Sequence, residues 1–159
     1  MRSKTVSDSR VIISQIMTPQ DANIAGNVHG GVIMRLIDNA AGVVASRHTQ
    51  TNVVTASIDR LDFYHPVYIG NLVTLKASLN HVGTTSMEIG VRVEAEDMFT
   101  GEVRHTSSAY LTVVSLDKSG RPIPVPLLII ESENEKRRNR EALARREVRL
   151  REKKSEKKD

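Results

Sequence analysis

The sequence contains no cysteine and no tryptophan, and only 3% of its residues are aromatic. Without cysteine, the chain can form no disulfide, no cysteine-ligated zinc site and no thiol nucleophile. Without tryptophan, its hydrophobic core must be built chiefly from valine, isoleucine, leucine and alanine. A chain of 159 residues is long enough for one domain with a substantial core.

Long apolar runs are also missing from the sequence. The stretch Val11-Ile12-Ile13 is too short for the apolar region of a signal peptide. No run approaches the roughly 20 apolar residues that a membrane-spanning helix needs. We therefore expect a cytoplasmic protein that has no membrane partner.

The formal net charge of +4 is confined to the C-terminal segment. Basic and acidic residues balance over residues 1–130, whereas residues 131–159 are rich in Lys, Arg and Glu. We therefore predict one domain over 1–130 and a charged helical tail over 131–159. In the tail, Glu141–Arg145 and Glu147–Arg151 have the i,i+4 spacing that stabilises an exposed helix. Because the body is neutral, we expect no nucleic-acid partner.

The pattern of apolar residues predicts one long helix and five strands, over residues 10–17, 53–64, 72–82, 86–97 and 103–116. The helix begins at His29-Gly30-Gly31 and extends to about Arg47. Apolar and polar residues alternate along 86–97, which is typical of a strand with one face in solvent. Long strands joined by short turns, together with one early helix, predict an α+β fold in which an antiparallel sheet wraps around the helix.

The stretch Asn27-Val28-His29-Gly30-Gly31 places two glycines at the start of this helix. A helix N-terminus offers unpaired N–H groups and the positive end of the helix dipole. Glycine also lets a ligand carbonyl come close to the backbone. Gly30 and Gly31 are therefore candidates for stabilising an oxyanion. The alternative is that both glycines serve only to pack the helix tightly against the sheet.

Asp38 follows Gly31 by seven positions, about 10 Å along the same face of the helix. We expect the sheet to enclose this helix, and a carboxylate is rarely buried without a partner or a catalytic role. At that distance, Asp38 would reach the tip of an antiparallel helix from a second subunit more easily than its own. The alternative is an exposed aspartate on a polar stripe with Arg35 and Asn39.

Two motifs, Asn23 to Gly31 and Met34 to Asp38, resemble the cytosolic acyl-coenzyme A thioester hydrolases of the hotdog superfamily. The similarity continues through 53–57 and 122–126 and covers about residues 10–135. It implies the hotdog fold and hydrolysis of fatty acyl-CoA, with the CoA thioester as substrate and no cofactor. It also implies a homodimer with its active site at the interface, usually assembled into a trimer of dimers.

The resemblance further implies an Asn or Asp in the loop before the helix, matched by Asn27, and an acidic residue within the helix, matched by Asp38. We hypothesise that the N–H groups of Gly30 and Gly31 bind the thioester oxygen. Asp38 of the partner subunit then orients and deprotonates the attacking water, and Asn27 positions either that water or the thioester carbonyl through its amide. His29 also matches the motif, and we expect its role to be structural.

Coenzyme A carries phosphates, which require cations or backbone donors. The candidates for binding them are Arg60, Thr84, Thr85, Ser86 and Arg92. The histidines show no metal-ligand spacing, so we expect no metal site.

Three other functions stay open at this point. One is a hotdog hydratase or dehydratase acting on acyl thioesters, and another is a non-catalytic protein that binds acyl-CoA. The third is binding of nucleic acid or an acidic partner through the basic tail, although its mixed charges favour a solvated helix.

Overall fold

In the computed structural model, which describes residues 1–158, the chain forms two α-helices and seven strands. In chain order these are β1 (Lys4–Thr5), β2 (Val11–Ile16), α1 (Gly30–Thr49), β3 (Asn52–Phe63), β4 (Leu72–Val82), β5 (Ser86–Glu96), β6 (Val103–Leu116), β7 (Leu128–Ile129) and α2 (Glu133–Glu156). The five long strands, the central helix and the charged C-terminal helix predicted from the sequence are confirmed. Strands β4 and β6 begin and end at the predicted residues.

The five long strands form one antiparallel sheet in the order β2-β4-β5-β6-β3. Strands β1 and β7 pair in parallel as a separate small sheet. The sequence did not predict this pair, because two residues are too few to show an alternating pattern. Helix α1 packs against one face of the large sheet, and the architecture is the α+β fold that was predicted.

The core lies between α1 and the sheet. Along β5, the apolar residues of the alternating pattern are all buried, as expected for the face that meets the helix. The helix contributes its own buried stripe at helical spacing, formed by Ile33, Leu36, Ile37, Ala40, Ala41, Val44 and Ala45. The small alanines let the helix approach the sheet closely, and the larger side chains fill the space around them.

The opposite face of β5 is not simply in solvent, as the alternation had predicted. Glu88 is only 2% exposed because α2 lies across this face of the sheet. Arg145 of α2 bonds the Glu88 carboxylate at 2.6 Å, and Arg149 bonds it at 3.3 Å. The prediction was wrong at Glu88 because local alternation cannot show that a distant segment covers a strand.

Helix α2 therefore has a docked side and a solvent side. Ala142 is fully buried, and Arg145 turns toward the sheet instead of forming the predicted pair with Glu141. Glu141 bonds Arg137 at 3.2 Å instead. On the solvent side, the predicted pair between Glu147 and Arg151 is present at 3.6 Å.

One buried and one half-buried histidine link the folded state to pH. His48, near the end of α1, is fully buried, and its Nε2 donates to the Pro126 carbonyl at 2.7 Å. Burial lowers the pKa of His48 below its usual 6.5, since the charged ring would lose its hydration. Burial also lowers the pKa of His81, and Arg146 nearby acts in the same direction.

We expect the folded state to lose stability as the pH falls from 8 to 5. Both histidines gain protons in the unfolded chain as the pH passes through 6.5, whereas the folded protein resists protonation until the pH is lower. The free energy of unfolding should then fall by at most about 1.4 kcal/mol per pH unit for each histidine. Urea unfolding across this range measures the slope. His48→Asn should flatten it and the exposed control His65→Asn should not; an unchanged slope in His48→Asn would contradict this account.

Candidate active site

One face of α1 is left open by the sheet, contrary to the expectation that the sheet encloses the helix. Asp38 is exposed on this face, with Arg35 and Asn39 beside it. The neighbouring strand β3 is an edge strand, and it exposes Val54 and Ile58. In a single subunit, Asp38 thus belongs to an open stripe that combines polar residues of α1 with apolar residues of β3.

Asp38 is held in place by the edge strand. The hydroxyl of Thr55 on β3 donates to Asp38 Oδ1 at 2.6 Å. The second carboxylate oxygen has no hydrogen-bond partner within residues 1–158, and the side chain lines an open groove with Val43 and Val54. Sequence reasoning did not single out Thr55, because a threonine seventeen positions away shares no local pattern with Asp38.

The loop before α1 closes on itself through two asparagines. The Asn23 N–H donates to the Asn27 carbonyl at 2.7 Å, and the Asn27 N–H donates to Asn23 Oδ1 at 3.1 Å. Both residues line a cavity of about 290 Å³ together with Gly30 and Phe63. The structure thus places the predicted Asn27 beside Asn23. Asn23 belongs to the motif recognised in the sequence, but it was not predicted to be a site residue.

The two glycines at the tip of α1 have different surroundings. Nδ1 of His29 accepts the N–H of Gly31 at 2.8 Å and so caps the helix. A Cβ at Gly31 would lie 2.9 Å from this nitrogen, so glycine is needed there to make room for the imidazole ring. A Cβ at Gly30 would meet only Phe63, at 3.7 Å.

This arrangement changes the expectation for Gly31. The sequence predicted that its N–H binds the thioester oxygen. In the structure this N–H already donates to His29 and is not free to do so. The Gly30 N–H has no acceptor among the described residues. His29 has the structural role that was expected of it.

In one subunit, Asp38 and the helix tip are not brought together. They line different cavities, and Asp38 lies eight positions after Gly30, about 12 Å further along the helix. A single chain thus presents two separate groups. One is the Asp38 carboxylate with the Thr55 hydroxyl, and the other is the N-terminus of α1 with the side-chain amides of Asn23 and Asn27.

The residues predicted to bind CoA phosphates do not converge in one subunit. Arg60 is a positively charged residue with φ of 55° and a side chain that is 79% exposed. Thr84 and Thr85 lie in the turn between β4 and β5. The Thr84 carbonyl accepts the N–H of Val125, in the segment after β6, and the Thr85 carbonyl accepts the N–H of Ser115, near the end of β6.

The other two lie on the sheet face that carries α2. Ser86 lines a cavity beneath the C-terminal half of α2. Arg92 lines a cavity of about 370 Å³ nearer the N-terminal half and bonds Glu94 at 3.0 Å. Within the described chain, none of the five predicted residues lines the groove of Asp38 or the cavity at Gly30.

Across residues 1–158, no three His, Asp or Glu side chains are grouped to hold a metal ion. In the same range, no helix is both long and apolar enough to cross a membrane.

The sequence matches known thioesterases. A model of the Thioesterase superfamily matches residues 25–102, from the loop before α1 to the turn after β5. The cytosolic acyl coenzyme A thioester hydrolase of Rattus norvegicus is 40% identical over 143 residues. This alignment covers 89% of the present chain and 38% of the rat protein.

Solved structures share the whole architecture. An apo-hexameric acyl-CoA thioesterase has 39% sequence identity and a TM-score of 0.91, and the match covers 96% of this chain and 97% of that one. An acyl-CoA hydrolase from Staphylococcus aureus, solved with butyryl coenzyme A, coenzyme A and coenzyme A disulfide, has 33% identity and a TM-score of 0.90, covering 98% and 95% of the two chains. Variants of the staphylococcal enzyme have also been solved in which an aspartate, an asparagine or a threonine is replaced by alanine. By sequence and by structure, the present chain belongs to the Thioesterase superfamily, and its sheet wrapped around α1 is the hotdog fold.

Proposed function

We propose that this chain hydrolyses fatty acyl-CoA to a free fatty acid and coenzyme A. The observation that carries the proposal is the Asp38 carboxylate, held by Thr55 at 2.6 Å on the open face of α1. Such a carboxylate can accept a proton from water. The free N–H at the tip of α1 can stabilise the oxyanion that forms when this water attacks a thioester.

We propose that two subunits complete the site by packing their α1 helices antiparallel, so that Asp38 of one lies beside Gly30 of the other. The unpaired edge of β3 and its exposed Val54 and Ile58 support this arrangement, since long edge strands are generally covered. One of the similar thioesterases is described as hexameric, which supports a trimer of such dimers.

The positions substituted in the staphylococcal enzyme support two further residues as members of the site. In that enzyme, the replaced asparagine, aspartate and threonine follow one another at intervals of fifteen and seventeen positions. Asn23, Asp38 and Thr55 have the same spacing here. We therefore add Asn23 and Thr55 to the site proposed from Asn27 and Asp38.

Asn23 has the chemistry to act as a second donor. Its Oδ1 already accepts the Asn27 N–H, so its Nδ2 group remains available to donate to the thioester oxygen. In this proposal the Asn27 backbone orients Asn23, and the Gly30 N–H donates alongside the Asn23 amide.

The reaction proceeds in two steps. Asp38 takes a proton from water while the water oxygen attacks the thioester carbon, and the Gly30 N–H and the Asn23 amide stabilise the oxyanion. Collapse of this intermediate breaks the carbon–sulfur bond. The thiolate then takes the proton from Asp38 and leaves as coenzyme A.

Two predictions from the sequence stay predictions. The binding of CoA phosphates by Arg60, Thr84, Thr85, Ser86 and Arg92 would depend on the assembled oligomer, since these residues lie apart in one subunit. The cytoplasmic location is supported by the rat relative, which is named as a cytosolic enzyme.

Replacing Asp38 tests the central step. Asp38→Asn should lower kcat at least ~10²-fold, because an amide cannot take the proton from water. The midpoint of unfolding should not change, since Asp38 is exposed. Release of the free thiol from a long-chain acyl-CoA measures turnover and also separates hydrolysis from hydration or simple binding. Asn39→Ala, on the same face of α1, is the matched control. Normal turnover by Asp38→Asn, or by an isolated monomer, would refute the proposal.

The two loop asparagines can be separated by paired substitutions. Asn23→Ala removes the proposed donor and should lower kcat about 10²-fold. Asn27→Ala keeps the backbone N–H that bonds Asn23, so its kcat should stay near the wild-type value. The same thiol-release assay measures both variants. The opposite ranking would return the catalytic amide to Asn27, as first predicted from the sequence.

The two glycines should respond differently to an added methyl group. Gly31→Ala should displace the His29 ring and destabilise the protein by about 1 kcal/mol, the usual cost of losing a helix cap. Gly30→Ala should keep its stability, since the nearest atom is 3.7 Å away, but should lower kcat because the methyl group stands beside the proposed donor. Thermal unfolding and thiol release measure the two effects. An unchanged unfolding temperature for Gly31→Ala would contradict the expected contribution of the His29 cap to stability.

A further inference from the structure

The strand that carries Thr55 is irregularly paired with its neighbour. Register shifts interrupt the ladder between β3 and β6 from Thr55 to Ser57 and again from Asp59 to Asp62. Between the shifts, only Ser57 to Asp59 are paired in register. Arg60 follows at once with φ of 55°, a conformation that non-glycine residues rarely adopt. Three ladder pairs alone give weak control over the position of this part of β3.

Helix α2 holds both members of one of these pairs. Asp59 on β3 and Tyr110 on β6 are directly opposite each other. Arg149 donates to Asp59 Oδ2 at 2.7 Å, and the guanidinium of Arg145 lies 3.6 Å from the centre of the Tyr110 ring. The two arginines therefore contact the short in-register stretch on both of its strands, at Asp59 of β3 and at Tyr110 of β6.

The same arginines also reach the next strand. Both bond Glu88 on β5, whose side chain is 2% exposed. The side chains of Arg149 and Asp59 are 17% and 27% exposed, so little water competes for these bonds. By contrast, Arg151 lies two positions further along α2, and its side chain is 77% exposed. The cluster tolerates few alternative geometries, because losing an arginine partner would leave the buried Glu88 carboxylate without its full compensation.

We propose that α2 positions the catalytic base through this charged cluster. Arg149 fixes Asp59, the position of Asp59 sets the course of β3, and β3 carries the Thr55 hydroxyl that orients Asp38. Arg149 contacts neither Asp38 nor Thr55, so it is a positioning residue. The inference rests on the proposed hydrolase function. It makes α2 a working part of the thioesterase domain and not a separate charged tail.

The first test compares two arginines of α2 in the full-length protein. Arg149→Met keeps the length of the side chain but removes its charge, and it should lower kcat about fivefold with little change in KM. Asp59→Asn removes the other half of the pair and should have the same effect. Arg151→Met, the exposed control, should behave like the wild type. Circular dichroism checks that each variant is folded under the assay conditions.

A double-mutant cycle then separates positioning from general destabilisation. If Arg149 acts through Thr55, Arg149→Met should lose its effect on kcat when Thr55→Val has already removed the hydroxyl. Should Arg149→Met fail to fold, Asp59→Asn goes through the same cycle, because the substitution is isosteric and its site is more exposed.

Two outcomes would overturn the inference and leave the proposed function intact. One is an equal loss of kcat in the presence and absence of the Thr55 hydroxyl. The other is wild-type kcat in both Arg149→Met and Asp59→Asn while Asp38→Asn is inactive. An active Asp38→Asn enzyme would instead refute the proposed function itself.

Discussion

The hydrogen bond from Thr55 to Asp38 joins the edge strand of the sheet to the central helix at the only place where a carboxylate stands on the helix's open face within residues 1–158. An exposed aspartate has many rotamers, and catalysis requires one of them. The hydroxyl occupies one carboxylate oxygen and leaves the other for water. The proposed chemistry thus depends on where β3 runs, and β3 is an edge strand of the sheet, with a neighbouring strand on one side alone.

The tip of α1 shows how one motif can combine structural and chemical requirements. His29 uses its side chain to cap the helix at Gly31, and the missing Cβ of Gly31 gives the ring its space. The neighbouring N–H of Gly30 is left without an acceptor in the described chain. The histidine therefore fixes the end of the helix and leaves one donor at the position proposed for the oxyanion.

The charged C-terminal segment has a different meaning in three dimensions than in composition. Its excess of Lys and Arg over Asp and Glu gave the chain its net positive charge, and the mixture of both signs suggested a solvated helix. Arg145 and Arg149 nevertheless form salt bridges with the buried Glu88 and the half-buried Asp59, whereas Arg151 remains at the surface. The net charge of a segment thus does not show which of its charges face solvent.

The sequence alone determined the order of the helices and the long strands, the apolar faces that α1 and β5 bury against each other, and the loop and helix that carry the proposed site. It could do so because the period of the apolar residues directly reflects which side of a helix or strand is buried. The tertiary structure decided which distant groups meet. Thr55 lies seventeen residues from Asp38, and Glu88 lies 57 residues from Arg145. No local period relates such residues. Their contacts follow from the packing of β3 beside α1 and of α2 across the sheet, which gave Asp38 its hydroxyl partner and placed Glu88 out of solvent.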